Sequence, residues 1–255
     1  MRGLETGREA IPIRWLDEID STNAEARRLA EAGEEGPLWI AARRQSQGRG
    51  RRGRAWQTAE GNLAATLLVV TDRSPAEAAQ LSFVTGLAVA DLASGFIDPE
   101  LVALKWPNDV LVAGAKLSGV LIESGPRDDG GLWLVIGVGV NLAAAPEVPG
   151  YATTALAAHL STGATTPSPE AALELLSTTM VRRIGQWLAL GFAPAREAWL
   201  ARAFGIGEAC TARLGEGRAL DGVAEGLDAD GALLLRLASG ELRRITAGDV
   251  FFGDD

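Results

Sequence analysis

The chain has 255 residues, 47% hydrophobic and 22% charged, enough for one large globular domain or one plus a small one. Its net charge of −9 argues against the broad basic face of a nucleic-acid binder, and its single cysteine, Cys210, excludes an internal disulfide and points to a reducing, cytoplasmic compartment. No run reaches the ~18 apolar residues needed to span a bilayer, and the opening MRGLETGREAIPIRW lacks the apolar core of a secretory signal.

Residues 11–20 read as a short strand. STNAEARRLAEAG then reads as a helix, with Thr22 and Glu25 at capping-box spacing and Gly33 as its stop. LWIAAR (38–43) is a strand that feeds into GRGRRGRAW (48–56), where Arg49, Arg51, Arg52 and Arg54 alternate with glycines 48, 50 and 53. Those glycines deny the loop a regular ladder, so it is expected to be mobile when empty and ordered when occupied. NLAATLLVV (62–70) is a buried strand. The run SPAEAAQLSFVTGLAVADLASGF is one helix, with Ser74, Pro75 and Glu77 at the N-cap, N1 and N3 positions.

LVALKW (101–106), a Pro-Asn-Asp turn at 107–109 and VLVA (110–113) form a hairpin, followed by the strand KLSGVLIES (116–124). In LWLVIGVGVNL (132–142), Gly137 and Gly139 fall on one face of a strand. Either a ligand or a packed helix would explain two bare positions there. A long helix spans 168–191 and a shorter one covers APAREAWLARAFG. From about Ile206 short strands separated by Gly and Asp turns form a small β unit, in which Cys210 is a buried structural thiol.

Only two of the 24 basic residues are lysines, Lys105 and Lys116, both in KWPNDVLVAGAKLSG. Their proximity is either chance or a demand for a compact ammonium where a planar guanidinium will not serve. The arginine loop is a local basic focus on an acidic chain, suited to a small polyanion. No G-x-x-x-x-G-K-[ST] occurs. With one histidine, His159, read as a surface or helix-end residue, and one distant cysteine, a catalytic triad or a zinc site is not expected. Chemistry must then come from fixed cations and positioning, which suits attack of a carboxylate on the α-phosphorus of ATP. Ser21, Thr22 and Asn23, at a helix start, offer polar side chains and free N–H donors to a neutral head group or an anion.

Read in order, Ser21-Thr22-Asn23, Gln45 with GRGRRGRAW, KWPNDV, KLSGVLIES and GVGVN, the chain resembles the biotin–protein ligases from about residue 11 to 253. The resemblance implies an α+β fold: a mixed, mostly antiparallel central sheet with packed helices, akin to class II aminoacyl-tRNA synthetases, over residues 1–205. A small C-terminal SH3-like β-barrel over 206–255 completes it. It also implies that biotin and MgATP form biotinyl-5′-AMP, which a lysine of a biotin carboxyl carrier domain then attacks. Ser21, Thr22, Asn23 and Gln45 would surround biotin, with Arg49, Gly50 and Arg51 in the loop closing over biotin and its adenylate. Arg54 and Trp56 would serve the nucleotide, Trp56 by packing near the adenine. Lys116 would contact the biotin carboxyl and the α-phosphate, with Arg51 as its catalytic companion. Lys105, Asn108 and Asp109 would face the phosphates and their magnesium, Asn141 would face the nucleotide, and no tightly bound metal is implied.

Some members carry an N-terminal helix-turn-helix domain. Only some ten residues precede the first strand here, so DNA binding is not expected, whereas a homodimer through the sheet edge is compatible with the family. Two other readings compete. A lipoate–protein ligase shares the fold and adenylate chemistry but typically has a serine- and glycine-rich signature in place of GRGRRGR. An RNA-binding protein using the Gly/Arg loop would bind in a salt-sensitive way without ATP; the acidic body and the lack of aromatics through the loop oppose it.

Overall fold

The computed structural model describes Met1, residues 10–148 and residues 150–253. Most of the stretch on which the expectations about a secretory signal and a DNA-binding extension rest, residues 2–9, lies outside the described residues.

Strand β1 (Ile13–Ile19), helix α1 (Thr22–Glu31) and strand β2 (Leu38–Gln45) open the chain. Because α1 crosses over between them, β1 and β2 pair in parallel. Every other pairing in the sheet is antiparallel, through β3 (Leu63–Thr71), β4 (Val102–Lys105), β5 (Asp109–Val112), β6 (Ala115–Pro126) and β7 (Leu132–Val140). The seven strands run in the order β1-β2-β3-β7-β6-β5-β4. This is the expected mixed sheet. Central β3 is buried along its whole length, because both faces are covered, and so reads as a continuous apolar run rather than an alternation.

One face carries the main core, where Leu63, Leu67 and Val69 pack beneath helices α3 (Leu81–Ala93) and α4 (Pro169–Leu190). The other face is divided. At one end Ile40, Leu68, Val135 and Trp133 close over Ala26 of α1. At the other end the paired positions are small: Thr66 opposite Gly137, Ala64 opposite Gly139, and Gly119 opposite Gly139. A sheet with little side-chain bulk at that end leaves room above it.

Two local expectations change. The helix expected from Ser74 onward is two, α2 (Pro75–Ala79) and α3, although the capping box between Ser74 and Glu77 is present. At Gln80 the turn tightens, its N–H bonding to Glu77 three residues back, while its backbone stays right-handed (φ −62°, ψ −22°), so the path is continuous. In α1 the N-cap is Ser21, with no side-chain cap bond, and no Thr22–Glu25 box forms. Thr22 is instead buried and turned toward the sheet, and Glu25 pairs with Arg28.

Helix α5 (Ala193–Leu200) leads to a second, five-stranded antiparallel sheet. It is built from β8 (Ala209–Arg213), β9 (Ala219–Leu227), β10 (Leu233–Arg236), β11 (Leu242–Ile245) and β12 (Asp249–Phe252), in the order β11-β10-β9-β8-β12. It docks on the first sheet through the Trp106 indole N–H, which donates to Gly231 O at 3.1 Å. Cys210 is buried in β8. His159 follows a short 3₁₀ turn, 2.8 Å from the Thr154 hydroxyl and off the cavity described below. Among the described residues no helix is long and apolar enough to cross a membrane.

Candidate active site

Above the small-residue end of the sheet lies a cavity of about 590 Å³, walled by the start of α1, the arginine loop, β6 and the segment after β7, with Arg213 and Phe251 from the second sheet. Of the fourteen site residues proposed above, all but Lys105 line it. The volume is in the range of small-molecule sites.

At one end Ser21, Thr22 and Asn23 are buried, at 2%, 4% and 5% exposure. The Thr22 N–H donates to Gln45 Oε1 at 2.8 Å, while the Gln45 amide N–H donates to the Thr58 hydroxyl at 3.1 Å, which orients that side chain. Thr66 Oγ1 lies 2.8 Å from Thr22 Oγ1 and 2.7 Å from Asn23 Oδ1, and Asn23 Nδ2 donates to Glu123 at 2.9 Å. The result is a rigid, uncharged rim.

The bare strand positions are filled by this chain's own side chains. A Cβ at Gly137 would overlap the Asn23 amide, and one at Gly139 would overlap the Trp56 indole. At Gly137 the reading of a packed helix holds, since Asn23 belongs to α1; at Gly139 the arginine loop brings Trp56 instead, and both glycines line the cavity.

The arginine loop, expected to be irregular, closes on itself. Arg49 bridges Ala55, Gly50 N–H donates to Arg54 O at 2.7 Å, and Trp56 N–H donates to Gly48 O at 2.9 Å. A 3₁₀ turn over Arg51–Gly53 forms its tip, with Arg52 and Gly53 at positive φ (55° and 73°). The tip is tied to the second sheet by Asp249, whose carboxylate lies 2.9 Å from Arg54, 3.5 Å from Arg52 and 3.6 Å from Arg51. Arg51 also donates to Gly248 O at 3.2 Å and to Asn108 Oδ1 at 3.4 Å. Burial pulls its guanidinium below the ordinary arginine range, with Asp249 opposing.

Facing the loop, Lys116 Nζ lies 2.6 Å from Asp109 Oδ1, and the Tyr151 hydroxyl donates to Asp109 Oδ2 at 2.6 Å. Burial, with the Asp109 charge added, raises the Tyr151 phenol far above its usual range, so it stays a donor. Lys116 also sits 5.9 Å from the Trp56 ring centre. Asn108 donates to Val120 O at 2.6 Å, and Asn141 spends its amide on Thr154 O at 3.2 Å, holding the returning segment. Lys105 does not reach the cavity wall. Its ammonium lies over the rings of Tyr151, Phe251 and Phe252, at 5.0, 5.7 and 5.8 Å.

The model of the Biotin/lipoate A/B protein ligase family matches residues 15–141, and that of the Biotin protein ligase C terminal domain matches 205–253. A biotin–[acetyl-CoA-carboxylase] ligase of Paracoccus denitrificans is 44% identical over 93% of this chain and 99% of its own length. The chain belongs to the biotin protein ligase family. A second biotin–[acetyl-CoA-carboxylase] ligase, from Mycobacterium tuberculosis, is 35% identical over 93% of this chain and 88% of its own. Among solved structures, the biotin protein ligase of Aquifex aeolicus in complex with biotin and ATP superposes with a TM-score of 0.75 at 28% identity, covering 96% of this chain and 99% of that one.

In this biotin protein ligase, sequence reasoning missed Thr66, Glu123, Tyr151 and Asp249. None sits in a contiguous motif with the residue it serves. Thr66 and Glu123 could have been found by strand parity, since both share a face with Gly137, whereas Tyr151 and Asp249 carry no local signal. Among the described residues no group of three or more His, Cys, Asp or Glu side chains is placed to hold a metal ion.

Proposed function

We propose that this chain joins biotin to a lysine of a biotin carboxyl carrier domain in two steps. In the first, a biotin carboxylate oxygen attacks the α-phosphorus of MgATP, giving biotinyl-5′-AMP and expelling pyrophosphate, with magnesium arriving as part of the nucleotide substrate. In the second, the neutral ε-amine of the carrier lysine attacks the mixed anhydride; an amide forms, AMP leaves and the amine gives up its proton.

The observation that carries this reading is one cavity in which an uncharged rim (Ser21, Thr22, Asn23, Gln45) and a cationic end (Arg51, Arg54, Lys116) share one small-residue sheet. A ureido ring needs paired neutral donors and acceptors. A carboxylate meeting a triphosphate needs cations fixed where charge gathers. In this reading Ser21, Thr22, Asn23 and Gln45 hold biotin, while Arg49, Gly50 and Arg51 cover it and its adenylate. Lys116 supplies the ammonium between carboxylate and α-phosphate; Arg54, Trp56, Asn108 and Asn141 serve the nucleotide. Asp109, which meets Lys116 on one oxygen and Tyr151 on the other, would face the magnesium that arrives with the nucleotide.

Residues 1–205 form the catalytic unit of this proposal and 206–255 a C-terminal SH3-like β domain that brings Asp249 to the loop. Pairing of two copies along a sheet edge, a cytoplasmic setting and the absence of a role on DNA belong to the same proposal. The test is to incubate the protein with biotin, MgATP and a carrier domain and weigh the carrier. A gain of one biotinyl group is expected, and no gain when lipoate replaces biotin; an unmodified carrier in the biotin reaction would overturn the proposal.

A further inference from the structure

The chain has a single tyrosine, Tyr151, and the structure sets it against both of its lysines. Lys116 Nζ lies 5.4 Å and Lys105 Nζ 5.0 Å from the centre of its ring. Its hydroxyl donates to one oxygen of Asp109 at 2.6 Å, and Lys116 approaches the other oxygen at 2.6 Å. Tyr151, Asp109 and Lys116 thus close a ring of contacts on the cavity wall. The segment bearing Tyr151 is fixed to the lysine's own strand: Lys116 N–H donates to Ala152 O at 2.8 Å, and Thr154 N–H donates to Lys116 O at 2.9 Å.

From this geometry we infer that Tyr151 is a positioning residue for the adenylation step, holding Asp109 and confining the Lys116 ammonium at the cavity wall. The inference rests on the adenylation reading above. An ammonium on a four-carbon stem is mobile, and a cation that must still be ordered at the transition state contributes less than one already in place. The aromatic face restricts the ammonium through its quadrupole without neutralising it.

The hydroxyl has a second effect. A carboxylate that accepts an O–H bond on one oxygen has part of its charge satisfied there, so it grips the ammonium on its other oxygen less tightly. Lys116 can then transfer its interaction to charge developing on the substrate. Without the hydroxyl, a mostly buried carboxylate has Lys116 as its remaining charged partner and competes for it throughout the reaction.

The experiment is biotin-dependent exchange of labelled pyrophosphate into ATP, with wild type, Tyr151→Phe and Tyr151→Leu. Biotin affinity is measured by calorimetry, and thermal melting is followed for each. Tyr151→Phe should lower the exchange kcat by about 10- to 100-fold, the scale of losing an outer partner of a reacting group. Its KM for ATP, biotin affinity and melting temperature should stay near wild type. Tyr151→Leu, which also removes the ring face, should lose more. A Tyr151→Phe variant with wild-type kcat would overturn the inference alone, as would one whose kcat, biotin affinity and melting temperature all fall together, the mark of a purely structural role. A wild-type protein that exchanges no pyrophosphate would overturn the adenylation reading beneath it.

Discussion

Gly139 lies flat against the indole of Trp56, so closely that a Cβ at 139 would overlap the ring, while Gly137 stands in the same relation to Asn23. The two glycines share one face of β7 but seat different side chains, which the proposed function assigns to the nucleotide (Trp56) and to biotin (Asn23). Gly139→Ala should displace Trp56 at a cost of about 1–3 kcal/mol, typical of overpacking. It should raise the KM for ATP by about tenfold or more, with biotin affinity little changed. Gly137→Ala should do the reverse, pushing Asn23 off Thr66 and weakening biotin. Calorimetry with each ligand separates the two, and parallel losses in both variants would contradict the assignment of the ends.

On the proposed reading, Lys116 acts where charge accumulates rather than where ATP is first held. Lys116→Ala should lower pyrophosphate release by about 10²–10³-fold, the cost of losing one preorganised donor. ATP affinity should fall only a few-fold. Single-turnover rates set beside equilibrium binding give the comparison, and equal losses would remove Lys116 from the step.

Arg51 is held over the cavity by Gly248 O, Asn108 and Asp249. Arg51→Gly should let biotinyl-AMP escape before the carrier lysine reaches it, so that lysines of bystander proteins become biotinylated. Mass spectrometry of a mixture containing serum albumin detects this, and unchanged labelling specificity would contradict it.

Asp249 gathers three guanidiniums from a loop nearly two hundred residues away in sequence. Asp249→Ala leaves those like charges uncompensated, so the loop should loosen and the KM for ATP should rise several-fold at low salt. Salt screens both the lost attraction and the remaining repulsion, with a Debye length of about 10 Å at 0.1 M. Wild type and variant should therefore converge as ionic strength rises, and a gap that salt does not narrow would count against the electrostatic account.

At the entry to α1, Asp20 accepts from the Ser21 N–H at 2.7 Å and from Arg28 at 2.8 and 2.9 Å. The Arg28 hydrogen bond, with Ser21 helping, lowers the Asp20 carboxyl from 3.8 to about 2. A folded-state pKa below the unfolded one contributes stability above the unfolded value and loses it as pH falls. Asp20→Asn should therefore cost about 1 kcal/mol or less at neutral pH, since the pair is partly exposed. The cost should shrink between pH 3.8 and about 2. Urea unfolding of both proteins across that range checks the sign.

Much of this architecture is written in local pattern. The Ser-Pro-Ala-Glu start of α2 and the Ser-Pro-Glu start of α4 announce themselves by capping chemistry, and both helices begin there. The β strands follow from apolar runs and turn residues, and the small second sheet from its change of texture at residue 206. The motif residues were legible for a related reason: side chains that must meet one ligand are carried by short segments whose spacing a linear reading can see.

Partnership between distant segments was not legible. Lys105 and Lys116 share one motif, yet the bulge between Val110 and Leu111 and the course of β4 leave only Lys116 on the cavity. Thr66, Tyr151 and Asp249 acquire their roles through strand pairing and docking of the second sheet, contacts formed across 43, 42 and 195 residues to Asn23, Asp109 and Arg54. Short-range preference reports how a segment bends and which face it buries. Which side chain meets which is set by burial of the whole, and that is a property of the assembled sheets.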